Sequence, residues 1–430
     1  MNQAGRTSAA IELLETISNV REPADIVISE YFRRRRYAGS GDRRFIRNLV
    51  YNSLRHMGFL KWQLKENGAD TTNSRNLMIA NIMANNPSEL ESIFCDNRFS
   101  AGALSNEEVE LTQRLKSQNK VNDVPQWAKL NCPEWLLEKF ISNFPDTYKN
   151  ELEALNVSAP IDLRVNELKS SRELVQAYLE DDGYLFTPTP LSLLGLRSSI
   201  WSPLLNTKSY RDGLFQIQDE GSQMIACAVN ARPGEKIADL CAGAGGKSLA
   251  LAAIMKNEGQ IIAADISSSR LNRIKPRIKR AGINIINTAP FDASALAQAI
   301  DPLDRVLIDA PCSGTGTWRR HPEARWRLNS EQLENYVKVQ ADLLRDGAKL
   351  VRPGGWVIYA TCSLLKDENE DQVGAFLNNH QEFTRLPVKE YLDDHQLMLT
   401  GLDGESNLSL SPARSNTDGV FVAVFEKASK

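Results

Sequence analysis

The sequence is poor in the features that mark secreted, membrane-spanning and zinc-binding proteins. Its six cysteines are scattered over 430 residues, without a Cys-x-x-Cys pair and without histidines at zinc-ligand spacing. It has no uninterrupted run of roughly 18 apolar residues, which a membrane-spanning helix requires, and residues 1–20 lack the pattern of a secretory signal. These absences predict a protein of the reducing cytoplasm, with neither a membrane segment nor a bound metal.

The sequence also lacks an excess of positive charge, since its formal net charge is −3. This value argues against a protein that simply coats nucleic acid, but it hides two local basic runs. The first run consists of Arg33, Arg34, Arg35, Arg36, Arg43, Arg44, Arg47 and Arg55, and the second of Arg270, Arg273, Lys275, Arg277, Lys279 and Arg280. Each run is either a solvated helix face or a surface that contacts phosphates.

The length predicts two or three domains. Residues 1–124 have apolar side chains at helical spacing and are expected to form an all-helical domain. Residues 125–212 show strand–helix–strand order and are expected to form a small α/β module. Residues 213–430 are expected to form a third domain, the one that carries the chemistry.

That third domain alternates short apolar strands with helices, which is typical of a parallel sheet buried on both faces. The predicted strands are 236–240, 260–264, 284–288, 305–308 and 356–359, and a last strand, 419–425, has no helix after it. The pattern predicts an α/β fold, a doubly wound Rossmann-like sheet with a terminal hairpin strand.

A glycine-rich turn follows the first of these strands, in segment 241–247. Such a turn lets the backbone approach a ligand closely, and the helix after it favours an anionic group. A nucleotide P-loop is disfavoured because Ala242 stands where that motif begins with glycine, and a dinucleotide fingerprint because Ser248 replaces its third glycine. S-adenosylmethionine, which carries a carboxylate and no pyrophosphate, needs a wider and less strict loop.

Aspartates follow the next two strands. Asp265 stands where a carboxylate can accept hydrogen bonds from ribose hydroxyls, which both S-adenosylmethionine and NAD present. Asp292 stands where it could accept a hydrogen bond from an adenine amino group. The alternative for either residue is a helix cap.

Two cysteines follow the fourth and fifth strands, Cys312 after Asp309 and Cys362 after Thr361. Because neighbouring parallel strands end at the same edge of a sheet, we expect both thiols to face the cofactor. A lone free cysteine is usually just a small buried side chain, but two at equivalent strand ends indicate chemistry.

Methylation of a cytosine at carbon-5 would use such a pair. Carbon-5 is a weak nucleophile until a thiolate adds to carbon-6 and turns the ring into an enamine. The reaction then needs loss of the carbon-5 proton, departure of the thiolate, and a carboxylate such as Asp309 at the base edge. Methylation of a ring nitrogen would need no covalent cysteine.

At these residues the sequence resembles the RsmB/NOP-type RNA cytosine-5 methyltransferases, and among them the bacterial members that modify 16S ribosomal RNA. The matching segments are 239–247, 265 with 270–271, 309–312, 319–323, 359–363, 163–166, 218–223 and 418–419. The resemblance extends from about residue 125 to the end. Residues 1–124 are similar to a NusB-like RNA-binding domain only in position, length and their arginine cluster.

The resemblance implies specific roles. It implies that Cys362 attacks carbon-6 and that Cys312 assists release of the methylated product. The implied residues of the S-adenosylmethionine site are Cys241, Ala242, Gly243, Ala244, Gly245, Gly246, Lys247, Asp265, Arg270, Asp292 and Asp309, with Asp309 also close to the target base. The loop carries Ala244 where the family usually has proline, and we expect this to loosen the turn without removing a contact.

The expected partner is RNA, either 16S ribosomal RNA or a small-subunit assembly intermediate. Three alternatives stay open: a transfer-RNA cytosine-5 methyltransferase, a non-catalytic ribosome-assembly or RNA-binding factor, and a nicotinamide-dependent dehydrogenase, which the broken glycine fingerprint disfavours. Neither the modified cytosine nor the oligomeric state follows from the sequence.

Overall fold

The protein is described here from a computed structural model, over residues 1–118, 124–299, 301–388 and 406–429. The chain forms two compact units. The first comprises Met1–Val157 and Trp318–Leu328, and the second comprises Ser158–Thr317 and Asn329–Lys430.

The first unit is helical, as the sequence predicts for its N-terminal part. Its helices up to residue 154 are α1 (Gln3–Asn19), α2 (Ala24–Arg34), α3 (Ser40–Arg55), α4 (Met57–Glu66), α5 (Ser74–Asn85), α6 (Leu90–Ile93), α7 (Asn106–Gln118), α8 (Gln126–Lys129), α9 (Glu134–Asn143) and α10 (Tyr148–Ala154), with a 3-10 turn at Pro87–Glu89. Amphipathic spacing explains their packing. Helix α3, for example, buries Ile46, Val50 and Leu54 at successive turns.

Segment 318–328 returns to this first unit after the chain has begun the second. Trp318 is fully buried, and the Glu323 carboxylate accepts a hydrogen bond of 2.9 Å from the backbone N–H of Ala24. The Arg325 guanidinium, also fully buried, donates to the carbonyl oxygens of Asn131 and Leu155. The division into domains 1–124, 125–212 and 213–430 stays a prediction. It did not anticipate that segment 318–328 belongs to the first unit.

The second unit begins with a small antiparallel sheet. Its elements are β1 (Ile161–Val165), α11 (Arg172–Asp181), β2 (Thr187–Pro188), β3 (Gly195–Ser198), a 3-10 turn (Leu204–Asn206), α12 (Lys208–Arg211) and β4 (Phe215–Ile217). The strand order is β2-β3-β1-β4. Leu163, Val165 and Phe215 pack with Val175 and Leu179 of the helix.

The remaining elements are those of a larger sheet and its helices, together with one helix that belongs to the first unit. They are α13 (Glu220–Ala228), β5 (Lys236–Asp239), α14 (Gly246–Ile254), β6 (Gln260–Asp265), α15 (Ser268–Leu271), α16 (Ile274–Ala281), β7 (Ile286–Pro290), α17 (Ala293–Ala299), β8 (Leu303–Asp309), a 3-10 turn (Thr315–Thr317), α18 (Pro322–Arg327, in the first unit), α19 (Ser330–Leu350), β9 (Val351–Thr361), a 3-10 turn (Lys366–Glu368), α20 (Glu370–Asn379), β10 (Phe383–Leu386), β11 (Leu408–Leu410), α21 (Pro412–Ser415) and β12 (Val420–Lys427).

The described residues form an eight-stranded sheet in the order β10-β12-β9-β8-β5-β6-β7, with β11 paired to β12. Strands β5 to β9 are parallel, whereas β12 lies antiparallel to both β9 and β10. The predicted doubly wound sheet with a terminal hairpin strand is confirmed. Because the strand order reverses between β5 and β8, a ligand crevice is expected at their carboxyl ends.

None of the helices in the described parts of the chain combines the length and the apolar composition that crossing a bilayer requires.

Candidate active site

The glycine-rich turn joins β5 to α14 at the carboxyl edge of the sheet. Gly243 and Gly245 have left-handed φ angles of 55° and 77°. Residues other than glycine rarely adopt this conformation. A Cβ atom at Gly245 would also lie 2.6 Å from Ile274 Cγ1, whereas one at Gly243 would meet no atom closer than 4.0 Å. The turn is therefore packed against the protein at Gly245 and open at Gly243.

Two arginines hold the carbonyl groups of this turn. Arg277 Nη1 donates to the Ala244 carbonyl at 2.6 Å, and Arg164 Nη1 donates to the Gly246 carbonyl at 2.9 Å. Burial lowers the pKa of Arg164 to about 9, with a further contribution from the nearby Arg277. The sequence left the run that contains Arg277 open between a solvated helix face and a surface that contacts phosphates, and the structure gives this side chain an intramolecular hydrogen bond. The contact also holds the turn at the position where the family's proline is missing.

Asp265 lies at the end of β6 and is 2% exposed. One of its oxygens accepts the Gly243 N–H at 2.9 Å, and the other accepts the Ser267 N–H at 2.8 Å and pairs with Arg270 Nη2 at 2.9 Å. A carboxylate has about four acceptor sites, so these contacts leave capacity for a ribose hydroxyl. Asp265 therefore stabilises the glycine-rich turn, and this structural role does not depend on whether it also binds a ligand.

Asp292 follows β7 and is exposed. Its carboxylate accepts a hydrogen bond of 2.9 Å from the N–H of Ala295, in the first turn of α17. This contact is the helix cap that the sequence offered as the alternative to adenine binding. The adenine contact stays a prediction.

Asp239, at the end of β5, is a site residue to which sequence reasoning assigned no role, although it begins the matching segment. It is buried, and its Oδ2 accepts a hydrogen bond of 2.6 Å from Ser248 Oγ. Its Oδ1, equally buried, accepts no hydrogen bond from any residue that the structure describes. Burial raises the pKa of Asp239 to about 7, against the opposing effect of the Ser248 hydrogen bond.

Asp309 and Lys247 form an ion pair at the same edge. Lys247 Nζ lies 2.6 Å from Asp309 Oδ2, and the two side chains are 13% and 29% exposed. Burial alone would lower the pKa of Lys247, but the charge and hydrogen bond of Asp309, together with Asp239 and Cys362, outweigh burial and raise it. Lys247 also interacts electrostatically with Cys362, which connects the ion pair to the cysteines.

The donors and acids around the turn fit S-adenosylmethionine. Asp239 interacts electrostatically with both Asp265 and Asp309, and one of its buried oxygens has no hydrogen-bond partner among the described residues. A ligand with a sulfonium cation, an ammonium group and ribose hydroxyls supplies the charge and the donors that such a set of acids lacks. Within the described residues, no group of three or more histidine, cysteine or acidic side chains is arranged to hold a metal ion.

The structure brings the two thiols together. Cys312 follows β8, Cys362 follows β9, and their sulfur atoms lie 3.3 Å apart as free, half-buried thiols. The hydrogen bond to Cys362, followed by burial, raises the pKa of Cys312 well above its ordinary value. Burial also raises the pKa of Cys241. Cys312 and Cys241 are therefore held as neutral thiols.

Family models match two parts of the chain. The model for 16S rRNA methyltransferase RsmB/F matches residues 226–426, and the model for the ferredoxin-like domain of RsmF/B-like methyltransferases matches residues 132–198. The second match covers β1, α11, β2 and β3.

Two curated relatives agree with these matches. The probable ribosomal RNA small subunit methyltransferase B of Synechocystis sp. is 31% identical over 335 residues, 74% of this chain and 71% of that protein. Ribosomal RNA small subunit methyltransferase B of Salmonella typhi is 32% identical over 298 residues, 69% of this chain and 66% of that protein.

Solved structures share the fold. The crystal structure of PH0851 superposes with a TM-score of 0.80 at 26% identity and covers 99% of both chains. NSun6 from Pyrococcus horikoshii, solved with SFG, has a TM-score of 0.61 at 20% identity, covering 69% of this chain and 99% of that one. The second likeness shows the fold alone.

Proposed function

The chain belongs to the RsmB/F family of methyltransferases, and from that premise we propose that it methylates carbon-5 of a cytosine in 16S ribosomal RNA, with Cys362 as the covalent nucleophile. The observation that carries the proposal is the 3.3 Å approach of Cys362 and Cys312 beside the Lys247–Asp309 ion pair. A ring-nitrogen methyltransferase would have no use for the two thiols.

In the proposed reaction Cys362 forms and then breaks one bond. Its thiolate adds to carbon-6 of the cytosine, and the electrons of the carbon-5–carbon-6 double bond make carbon-5 nucleophilic. Once carbon-5 carries the methyl group, its proton passes to solvent water, the electrons of the carbon-5–hydrogen bond restore the double bond, and Cys362 leaves carbon-6 as a thiolate. The Cys312 thiol can donate a hydrogen bond across 3.3 Å to the departing sulfur, and this stabilises the thiolate that leaves.

Lys247 and Asp309 are proposed to act on both the nucleophile and the target base. The ammonium group of Lys247 favours negative charge on the neighbouring Cys362 sulfur. One oxygen of Asp309 pairs with Lys247, and the other can accept a hydrogen bond from the exocyclic amino group of the cytosine. The base and the nucleophile would thus be positioned by a single ion pair.

S-adenosylmethionine, when bound, supplies an electrophilic methyl group. The residues that would hold it are those of the turn and the acids around it: Cys241, Ala242, Gly243, Ala244, Gly245, Gly246, Lys247, Asp239, Asp265, Arg270, Asp292 and Asp309. The open space at Gly243 and the unpartnered Oδ1 of Asp239 support this assignment.

The RNA partner is proposed from the names of the relatives and from exposed charge. Arg33, Arg34 and Arg36 of the first unit are exposed, although Arg33 pairs with Glu30, and Arg35 pairs with Glu12. Such arginines are suited to contact phosphates. The proposed substrate is either free 16S ribosomal RNA or a small-subunit assembly intermediate, whichever leaves the modified cytosine accessible to the enzyme.

Methyl transfer with matched variants tests the proposal. Purified protein, tritiated S-adenosylmethionine and a 16S ribosomal RNA transcript are combined, and 5-methylcytidine is measured by nucleoside mass spectrometry. We expect the wild type to form it and Cys362→Ala to form none while still binding the cofactor, with Cys95→Ala, a change at a free cysteine of the first unit, as control. Full activity of Cys362→Ala would refute covalent catalysis, and 5-methylcytidine only in transfer RNA would reassign the substrate.

A further inference from the structure

A buried glutamate lies behind the two cysteines. Glu368 ends the 3-10 turn that follows β9 and is fully buried. One carboxylate oxygen accepts hydrogen bonds from the Ser313 N–H at 2.8 Å and from Gln340 Nε2 at 3.0 Å, and the other accepts one from Ser313 Oγ. Both oxygens therefore hold the residue directly after Cys312.

The same contacts tie the Cys312 segment to the Cys362 segment. Ser313 Oγ lies 3.2 Å from Ser363 Oγ, and Ser363 Oγ lies 3.2 Å from Thr315 Oγ1. The Gly316 N–H donates to the Cys362 carbonyl at 2.9 Å. Each thiol is thus flanked by a residue of one hydrogen-bonded network, and the two sulfur atoms lie 3.3 Å apart.

Hydrogen-bond donors surround the Glu368 carboxylate in the described part of the chain. Only donors face its carboxylate, and no lysine, arginine or histidine pairs with it among the residues that the structure describes. Burial raises the pKa of Glu368, and the hydrogen bonds from Ser313, Ser363 and Gln340 oppose this. The titratable groups that interact with the Glu368 carboxylate are Cys312, Tyr336 and Tyr359.

We propose that Glu368 is a positioning residue for the reaction: it holds Cys312 against the Cys362 sulfur through Ser313, and its charge keeps Cys312 protonated. A protonated Cys312 can donate its hydrogen bond to the departing sulfur, whereas a thiolate there would repel it. The negative charge of Glu368 is one of the effects that raise the pKa of Cys312, after the hydrogen bond to Cys362 and burial. This inference rests on the proposed function.

Two substitutions separate position from charge. Glu368→Gln can keep every hydrogen bond, because its amide oxygen can accept from Ser313 N–H and Gln340 while its NH₂ donates to Ser313 Oγ. Only the charge is lost. Glu368→Ala loses both, and Glu370→Gln makes the same neutralisation at an exposed position two residues further on.

The readout is release of the product. Each full-length variant is incubated with a 16S ribosomal RNA transcript and S-adenosylmethionine, turnover is measured across pH, and adducts are counted on denaturing gels. We expect Glu368→Ala to accumulate the protein–RNA adduct as Cys312→Ala does, with turnover lowered on the order of 100-fold, as misplacement of a reacting group causes. We expect Glu368→Gln to lose turnover at a lower pH than the wild type, because the pKa of Cys312 falls when the charge is removed. Glu370→Gln should match the wild type.

Two results would overturn the inference while the proposed function stands. One is a Glu368→Gln profile that coincides with the wild type, which removes the role of the charge even if Glu368→Ala fails to fold. The other is normal release by a folded Glu368→Ala protein when Cys312→Ala traps the adduct. If the wild type makes no 5-methylcytidine, or Cys312→Ala traps nothing, the proposed function has failed and this inference fails with it.

Discussion

At the scale of single residues, Asp239 departs most clearly from the behaviour of its type. Its pKa is raised to about 7 in the folded protein, whereas an aspartate of an unfolded chain has a pKa of about 3.9. Between these values the folded state binds more protons than the unfolded state. The free energy of unfolding therefore falls by a few kcal/mol as the pH rises from about 4 to about 7, because the buried carboxyl is stable in the folded state only when protonated.

Asp239→Asn should remove this pH dependence, since asparagine cannot ionise. We expect the difference in melting temperature between Asp239→Asn and the wild type, both without cofactor, to favour the variant more at pH 8 than at pH 5. Asp181→Asn, at an exposed helix end, is the control. Equal differences at the two pH values would show that Asp239 does not titrate in this range.

Individual site residues differed in how far the sequence could place them. Cys312, Cys362, Asp309 and Lys247 follow strand ends, and a parallel sheet brings strand ends together, so their proximity could be foreseen. Asp292 could not be settled, because one aspartate can cap a helix or bind a ligand at the same position. The contacts of Glu368 and Gln340 could not be predicted, because they depend on how two loops pack against each other. Residue spacing along the chain does not indicate such packing.

At the scale of elements, the cofactor turn depends on the helix beside it. The carbonyl of Ala244 is held by Arg277 of α16, and a hydrogen bond to a charged group contributes roughly 1.5–3 kcal/mol. Arg277→Met should therefore weaken S-adenosylmethionine binding by about tenfold or more, measured by isothermal titration calorimetry. Lys275→Met, an exposed change on the same helix, should leave the affinity unaltered. Equal affinities of the two variants would mean that the turn keeps its shape without Arg277.

The strands of the large sheet were predictable in kind and less so in extent. The third strand was predicted at 284–288 and lies at Ile286–Pro290, because pairing of Ile286 with Ile261 sets the register. Strand β9 extends over Val351–Thr361, well beyond the predicted 356–359. The Pro-Gly-Gly sequence at 353–355 is typical of a turn, but pairing with β8 at both ends overrides that local preference.

At the scale of the whole molecule, the first unit is not continuous in sequence. Segment 318–328 supplies it with the buried side chains of Trp318 and Arg325. Sequence order could not reveal this, because the segment lies between elements of the other unit and its motif matches a methyltransferase family. Removing a buried tryptophan alone costs about 3–5 kcal/mol.

A fragment of residues 1–157 should therefore be less stable than its helical content suggests. We expect its melting temperature, followed by circular dichroism, to rise when a peptide of residues 318–328 is added. A peptide with Arg325→Met should raise the melting temperature less, because the carbonyls of Asn131 and Leu155 would lose their hydrogen-bond donor. A fragment that melts at the same temperature with and without peptide would show that this segment is dispensable to the unit.

The central claim is that the Cys362 sulfur becomes bonded to carbon-6 of a cytosine. RNA that contains 5-fluorocytidine tests it directly, since the fluorine at carbon-5 cannot leave as a proton does and the covalent complex persists. After nuclease and protease digestion, mass spectrometry should find the nucleotide attached to Cys362 in both the wild type and Cys312→Ala, and no complex in Cys362→Ala. A nucleotide attached to Cys312 instead, or a complex that survives Cys362→Ala, would contradict the account.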